Sequence, residues 1–328
     1  MLFFLFLIAI LAGCSSSEEN TRTEIRGHKK NEDYLVVIPK ILAADEMTQI
    51  KKSVELILNQ ASAVYDIDNL NSELSKLIRL PVNQKSAISP TLKQLFATSH
   101  KLYQVSGGRF DPTMGAMVDF WKLNLDQNKV PSQEEIKKAC ENIGWHRIHV
   151  EGDLFWKSSN VPSINFGAIY KGFVIDQIVD MLHTIGYDDA FVLWGSTMRG
   201  VGFNVNKQPW KVTIKNPRLS TSQDDPRQIL QLHNQALSSS GLIEQKKWTV
   251  EGKTYTAIIN PLTCEPLSFI YHRQVNVLAN SAVEADGLAT AGMFLSTLEE
   301  SLKWEKSIQE QMPRASIWFV SNEEDIKS

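Results

Sequence analysis

The chain has 328 residues, 43% hydrophobic and 22% charged, with a formal net charge of -3. This is the balance of a globular protein with a sizeable core in one or two lobes, and it excludes a largely disordered chain. Lys and Arg are dispersed without a basic stripe, so no nucleic acid is expected as a partner.

Residues 1–12 are almost wholly apolar and stop at Gly13, Cys14 and a polar run of serines and glutamates. The run is too short for a mature membrane span of roughly 20 apolar residues and reads as an export signal. Leu11-Ala12-Gly13-Cys14 resembles a bacterial lipobox, although no Lys or Arg precedes the apolar run. The reading is a signal peptide over 1–14, with Cys14 as the lipidation site, then a polar tether over 15–32 and a folded domain over 33–328. The chain is thus expected in the bacterial cell envelope, lipid-anchored to the inner or outer membrane and facing the periplasm. The two remaining cysteines, Cys140 and Cys264, are too few for a disulfide framework or a metal cluster. They leave either one bridge or two free, half-buried thiols.

Apolar residues at helical spacing predict a helix over 45–64, with Asp45 as its N-cap, and a second from Pro90 to the Gly107-Gly108 stop. Ser132 and Glu135 form a capping-box pattern for a third helix. Residues 171–185 read as a fourth, ended by Gly186, and residues 283–295 as another. Short β-rich runs lie at 147–150, 190–194, 211–215, 255–259, 274–278 and 316–320. Irregular alternation of strands and helices indicates an α+β fold with a mixed sheet and packed helices, not a doubly wound sheet.

Three segments hold residues suited to chemistry. Gly107-Gly108-Arg109-Phe110-Asp111-Pro112-Thr113 has glycines for tight backbone and Asp111 placed to cap the helix that Pro112 opens. Asn165-Phe166-Gly167-Ala168-Ile169-Tyr170-Lys171-Gly172 feeds a helix, and its two glycines and Lys171 suit phosphate at a helix N-terminus. Asp286 and Thr290, one helical turn apart among small residues, suit a hard cation such as Mg²⁺ that also takes substrate phosphates. Each segment also has a purely structural reading as a turn, a helix start or a hydrogen-bonded buried pair.

Taken in order with Ser72-Glu73-Leu74-Ser75, Leu193-Trp194-Gly195-Ser196, Ser239-Ser240-Gly241 and Asn260-Pro261-Leu262-Thr263, these segments resemble the successive signatures of the ApbE family, the FAD:protein FMN transferases. The resemblance implies an ApbE-like, T-fold-like α+β domain with an FAD crevice between two lobes. It implies Mg²⁺-dependent transfer of FMN from FAD to a Thr or Ser hydroxyl of a target flavoprotein, a subunit of a membrane redox complex, with release of AMP. It places the flavin nucleotide on Arg109, Phe110, Asp111, Asn165 and Lys171, and the metal on the Ala168 carbonyl, Asp286 and Thr290. Lys171 and Asp286 would be the catalytic pair. Loss of Asp286 is expected to end Mg²⁺-dependent activity with the fold intact.

The chain departs from the family pattern at several positions. Ala257 stands where the family shows a His, the expected proton acceptor, and Cys264 where it shows a Gly. Asn165 replaces an Asp, Ser196 an acidic or glycine-rich end, and Leu242-Ile243 a polar pair. An alanine accepts no proton, which keeps two alternatives open: a non-catalytic FAD-binding lipoprotein and a Mg²⁺-dependent FAD pyrophosphatase.

Overall fold

The computed structural model describes residues 21–214, 228–241, 247–256, 258–267 and 272–321. Cys14, Leu242, Ile243 and Ala257 lie outside the described residues. Seven strands form one antiparallel sheet in the order Thr23–Lys29, Glu32–Ile38, Ala190–Trp194, Thr197–Val201, Gln235–Gly241, His272–Ala279, Ser316–Ser321. Among the described residues there are eight helices: α1 (Ala44–Tyr65), α2 (Glu73–Ile78), α3 (Pro90–Val105), α4 (Gly115–Asp126), α5 (Gln133–Cys140), α6 (Tyr170–Thr184), α7 (Ala282–Gly292) and α8 (Leu298–Gln311).

Period-two alternation splits each central strand between two cores. From Glu32–Ile38, the side chains of Val36 and Ile38 enter the large core beneath the helices. Leu35 and Val37 point the other way, with Phe191, Met198 and Leu237, against the hairpin Trp210–Ile214/Gln228–Leu232. A third cluster, built on Met117, Trp121, Ile136, Trp248 and Tyr255, forms a smaller lobe from α4, α5 and the Lys247–Val250/Lys253–Thr256 hairpin.

The expected helices form. Ser89 caps α3, Gly107 and Gly108 end it at positive φ, and Ser132 and Glu135 make both bonds of a capping box on α5. Three boundaries differ. α7 ends at Gly292, short of the expected residue 295. α1 is preceded by Ala43, which offers no side-chain bond, and Asp45 lies inside the first turn, where a carboxylate still favours the helix dipole. The tether expected over 15–32 overlaps a strand, Thr23–Lys29, because only Thr23 and Ile25 of that segment are buried and its outward side chains are charged. Gly27 lets this strand close over Tyr34: a Cβ there would sit 2.2 Å from the Tyr34 ring. No helix among the described residues is long and apolar enough to cross a membrane.

Candidate functional site

The core of the site is the crossing of α6 and α7. The two helices approach so closely that a Cβ on Gly172 would lie 2.4 Å from the Ala282 carbonyl oxygen. Asp286 on α7 is fully enclosed by this crossing. Its Oδ2 accepts from Gly172 N–H of α6 at 3.0 Å. Its Oδ1 accepts from Thr197 and Ser238 hydroxyls, each at 3.0 Å. Those two residues are direct cross-strand partners in the sheet, so register alone aims both hydroxyls at one oxygen. Burial pushes the Asp286 carboxyl above the usual carboxylate range, against the pull of the Lys171 ammonium and the three donors.

Thr290 sits one turn further along, and its hydroxyl donates back to the Asp286 carbonyl at 3.2 Å and lies 3.4 Å from Ser240 Oγ. Gly172 N–H is given to Asp286 instead of the Ala168 carbonyl four residues back. The proposed metal donors are therefore all oxygen, with one anionic carboxylate. A carboxylate has about four lone-pair sites, of which three are used here. The set fits, in kind, a Mg²⁺ that keeps waters and takes phosphate oxygens. Among the described residues no three His, Cys, Asp or Glu side chains cluster as a metal cage.

Lys171, the second residue of α6, is held by Glu32 at 2.9 and 3.2 Å. Gly195, at φ +57°, makes room for this pair: a Cβ would sit 2.2 Å from Glu32 and 3.0 Å from the Lys171 nitrogen. Asp176, two turns into α6, makes the complementary contact to α7. It accepts from Ala282 N–H and Val283 N–H, each at 2.9 Å, and from Arg199 at 2.7 Å. Burial raises its carboxyl to about 6 against these donors.

A cleft of about 390 Å³ opens between the two lobes. It is lined by Tyr103, Gly107, Gly108, Asp111, Ile143, Gly144, His146, Pro261 and Leu262. Asp111 is a cap as the sequence indicated: one oxygen accepts from Thr113 N–H and hydroxyl at 2.8 and 2.6 Å, the other from Trp145 N–H at 3.0 Å. Burial raises its carboxyl, opposed by these donors and by nearby His146. Of the three expected nucleotide contacts in this motif, Asp111 lines the cleft. The Phe110 ring is turned into the large core at 3% exposure, and Arg109 is paired with Glu300 at 2.6 Å. Asn165 uses its Oδ1 to accept Gly167 N–H at 2.7 Å, and its own N–H binds the Pro112 carbonyl, also at 2.7 Å. The Asn165 and Asp111 segments are thus joined. Gly287 lets α7 pack closely on α3 and the start of α6, since a Cβ there would meet Leu102 at 2.7 Å and Ile169 at 3.0 Å.

A family model described as the ApbE family matches residues 23–314. The chain belongs to the ApbE family. It is 29% identical to the FAD:protein FMN transferase of Chlamydia trachomatis, over 92% of this chain and 93% of that protein. With the one from Vibrio cholerae it shares 25% identity over 88% and 85%. The fold matches the apo crystal structure of the Pseudomonas stutzeri flavinyl transferase ApbE, with a TM-score of 0.79 at 23% identity and 92% of each chain covered. It also matches the Vibrio cholerae flavin transferase ApbE, with a TM-score of 0.77 at 22% identity, over 93% and 94%. As an ApbE protein the chain is a transferase enzyme.

Glu32, Thr197, Ser238, His146 and Asp176 were not singled out from sequence. Glu32 and Lys171 are 139 residues apart, and no local pattern links them. Asp176 had one signal: a carboxylate inside the apolar run of α6.

Proposed function

We propose that the chain moves FMN from FAD to a Thr or Ser hydroxyl of a target flavoprotein, releasing AMP, with Mg²⁺ bound by the Ala168 carbonyl, Asp286 and Thr290. The observation that carries this reading is the buried Asp286 carboxylate, which accepts the third amide of α6 beside Lys171.

The cleft takes the flavin end of FAD, and the pyrophosphate lies toward the N-terminus of α6, where Lys171 and the helix dipole favour negative charge. The acceptor oxygen forms a bond to the FMN-side phosphorus, the bond to the bridging oxygen breaks, and AMP leaves with that oxygen. The hydroxyl proton passes to a base or solvent. A bound Mg²⁺ supplies neutralisation of charge on the phosphates. Lys171 orients the pyrophosphate and offsets its charge, and Asp286 holds the first turn of α6 open toward it. With Ala257 at the usual base position, proton removal falls to another group.

Membrane attachment through Cys14, an envelope location and a redox-complex subunit as acceptor belong to the same proposal, on the strength of the lipobox-like N-terminus. The test is to incubate the full chain with FAD, Mg²⁺ and a Thr-containing acceptor domain, then follow acceptor mass and AMP. An acceptor heavier by one FMN supports the transferase. AMP with unmodified acceptor makes the chain a pyrophosphatase, and bound FAD with neither product makes it a flavin-binding protein.

A further inference from the structure

We propose that the Cys140–Cys264 bridge is a thiol–disulfide exchange site that sets the width of the cleft, with a dithiol as its reductant. The inference rests on the reading that this cleft takes the flavin of FAD.

The two sulfurs are bonded, with 6.3 Å between the Cα atoms, across 124 residues of chain. Cys140 is the last residue of α5, and the wall segment Ile143-Gly144-Trp145-His146 follows within six positions. That segment is fixed from its other side: Gly144 N–H donates to Thr113 Oγ1 at 2.8 Å and Trp145 N–H to Asp111. Cys264 ends the tight loop of the hairpin Ile259–Asn260/Glu265–Pro266, whose Pro261 and Leu262 form the facing part of the cleft. Leu262 is 57% exposed, and a Cβ on Gly108 would lie 3.7 Å from its Cδ2, so this side chain reaches across the mouth. The bridge is thus the covalent link between the fixed wall and the loop that narrows the opening.

Cys264 adopts φ +58°, a left-handed conformation that a residue with a Cβ holds only under constraint. The loop is also held by Cys264 N–H on the Asn260 carbonyl at 2.8 Å, Leu262 N–H on Asn260 Oδ1 at 2.9 Å, the Trp121 indole N–H on the Cys264 carbonyl at 2.8 Å and Gln133 on Glu265 at 3.0 Å. Opening the bridge leaves this turn with a weaker hold and a conformational preference against it.

Exchange begins at Cys140, half-buried where Cys264 is 3% exposed. A thiolate of the dithiol attacks Cys140 Sγ, the protein disulfide breaks, and Cys264 leaves as a thiolate that takes a proton. The second thiol of the reductant then displaces Cys140. Two electrons and two protons pass to the protein, giving two thiols, and the reductant ends as a disulfide.

The test measures FAD affinity of the full chain, oxidised and after dithiothreitol, with the Cys140→Ser/Cys264→Ser double variant alongside. Thiol counting confirms opening. The expected result is an FAD Kd about tenfold higher on reduction, through loss of preorganisation. The double variant should match the reduced protein and ignore dithiothreitol. Hydrogen exchange on the same samples should show lost protection confined to residues 258–267, with α6 and α7 still protected. Equal affinity of the two redox forms overturns the proposal, and so does loss of protection throughout the chain, which makes the bridge a general staple. Absence of FAD binding in either form removes the flavin reading of the cleft itself, and the proposal with it.

Discussion

The Asp176 carboxylate, on α6, accepts the first two amides of α7, and the Asp286 carboxylate, on α7, accepts the third amide of α6. Each acid thereby caps the other's helix. The usual local N-cap is missing at α6, where Ile169 has no side-chain acceptor, and Asp286 fills that role from 114 residues away. Two helices running past each other in opposite directions place each carboxylate at the positive end of its partner's dipole. This arrangement keeps a buried anion in place without a salt bridge of its own, next to a helix start suited to phosphate.

Asp286 is therefore structural as well as chemical, which revises the expectation that its removal leaves the fold intact. Asp286→Ala leaves Gly172 N–H without its acceptor inside the core, and Thr197 and Ser238 with only each other, at 2.9 Å. At about 1–3 kcal/mol for each unsatisfied buried group, a stability loss of several kcal/mol is expected. Asp286→Asn keeps an acceptor for part of the network and removes the charge. Its melting temperature should fall less than that of the alanine variant, and AMP release should become insensitive to Mg²⁺. Wild-type Mg²⁺ dependence in Asp286→Asn would remove Asp286 from the metal site.

Asp176 gives stability a defined pH dependence. Its carboxyl is raised to about 6 in the folded chain from an unfolded value near 3.8, so the folded state binds the proton more tightly. The contribution is complete below pH ~4 and declines as pH rises to ~6, reaching a loss on the order of 3 kcal/mol, with no further change above that. Urea denaturation between pH 4 and 7 on wild type and Asp176→Asn checks it. The difference between the two stability curves should slope through this window and be flat beyond it, whatever the absolute cost of leaving Arg199 without its partner.

The contrast between these two acids and the rest of the fold shows what a sequence can carry. Caps and stops written within four residues, such as Ser132 with Glu135 or Gly107-Gly108 after α3, were legible because their physics is local. So was the turn that Asp111 makes with Thr113. The first strand was missed because an edge strand with one wet face has little hydrophobic pattern. The capping roles of Asp176 and Asp286 were illegible because donor and acceptor come from different helices. The Phe110 ring illustrates the converse: a residue in a functional motif can serve the core.

Close approach of α6 and α7 makes their glycines unequal. Gly172→Ala drives a Cβ into backbone, 2.4 Å from the Ala282 oxygen, and backbone at a helix start held by Asp176 cannot step aside. Gly287→Ala meets the end of the Leu102 side chain at 2.7 Å, which can rotate. Overpacking in a core costs typically ~1–3 kcal/mol, and Gly172→Ala should exceed that range while Gly287→Ala falls within it. Thermal denaturation of the two variants checks the order, and a Gly172→Ala protein as stable as Gly287→Ala would mean that the crossing is looser than these distances.

Glu32 and Lys171 provide a sharper probe of the phosphate reading. The pair is only partly buried, with side-chain exposures of 43% and 24%, so breaking it should change stability by at most ~1 kcal/mol. For an anionic ligand the two residues act in opposite directions. Lys171→Ala removes a charge-assisted donor worth ~1.5–3 kcal/mol, and the Kd for FAD should rise ~10- to 100-fold. Glu32→Gln releases the ammonium from its carboxylate and removes a negative charge beside the phosphates, so the Kd should fall. Arg109→Ala should change FAD affinity far less, because its guanidinium is already committed to Glu300. Titration calorimetry with FAD on the three variants decides the matter. A Glu32→Gln protein that binds FAD more weakly than wild type would show that Glu32 is needed to position Lys171, not that it competes with the phosphates for it.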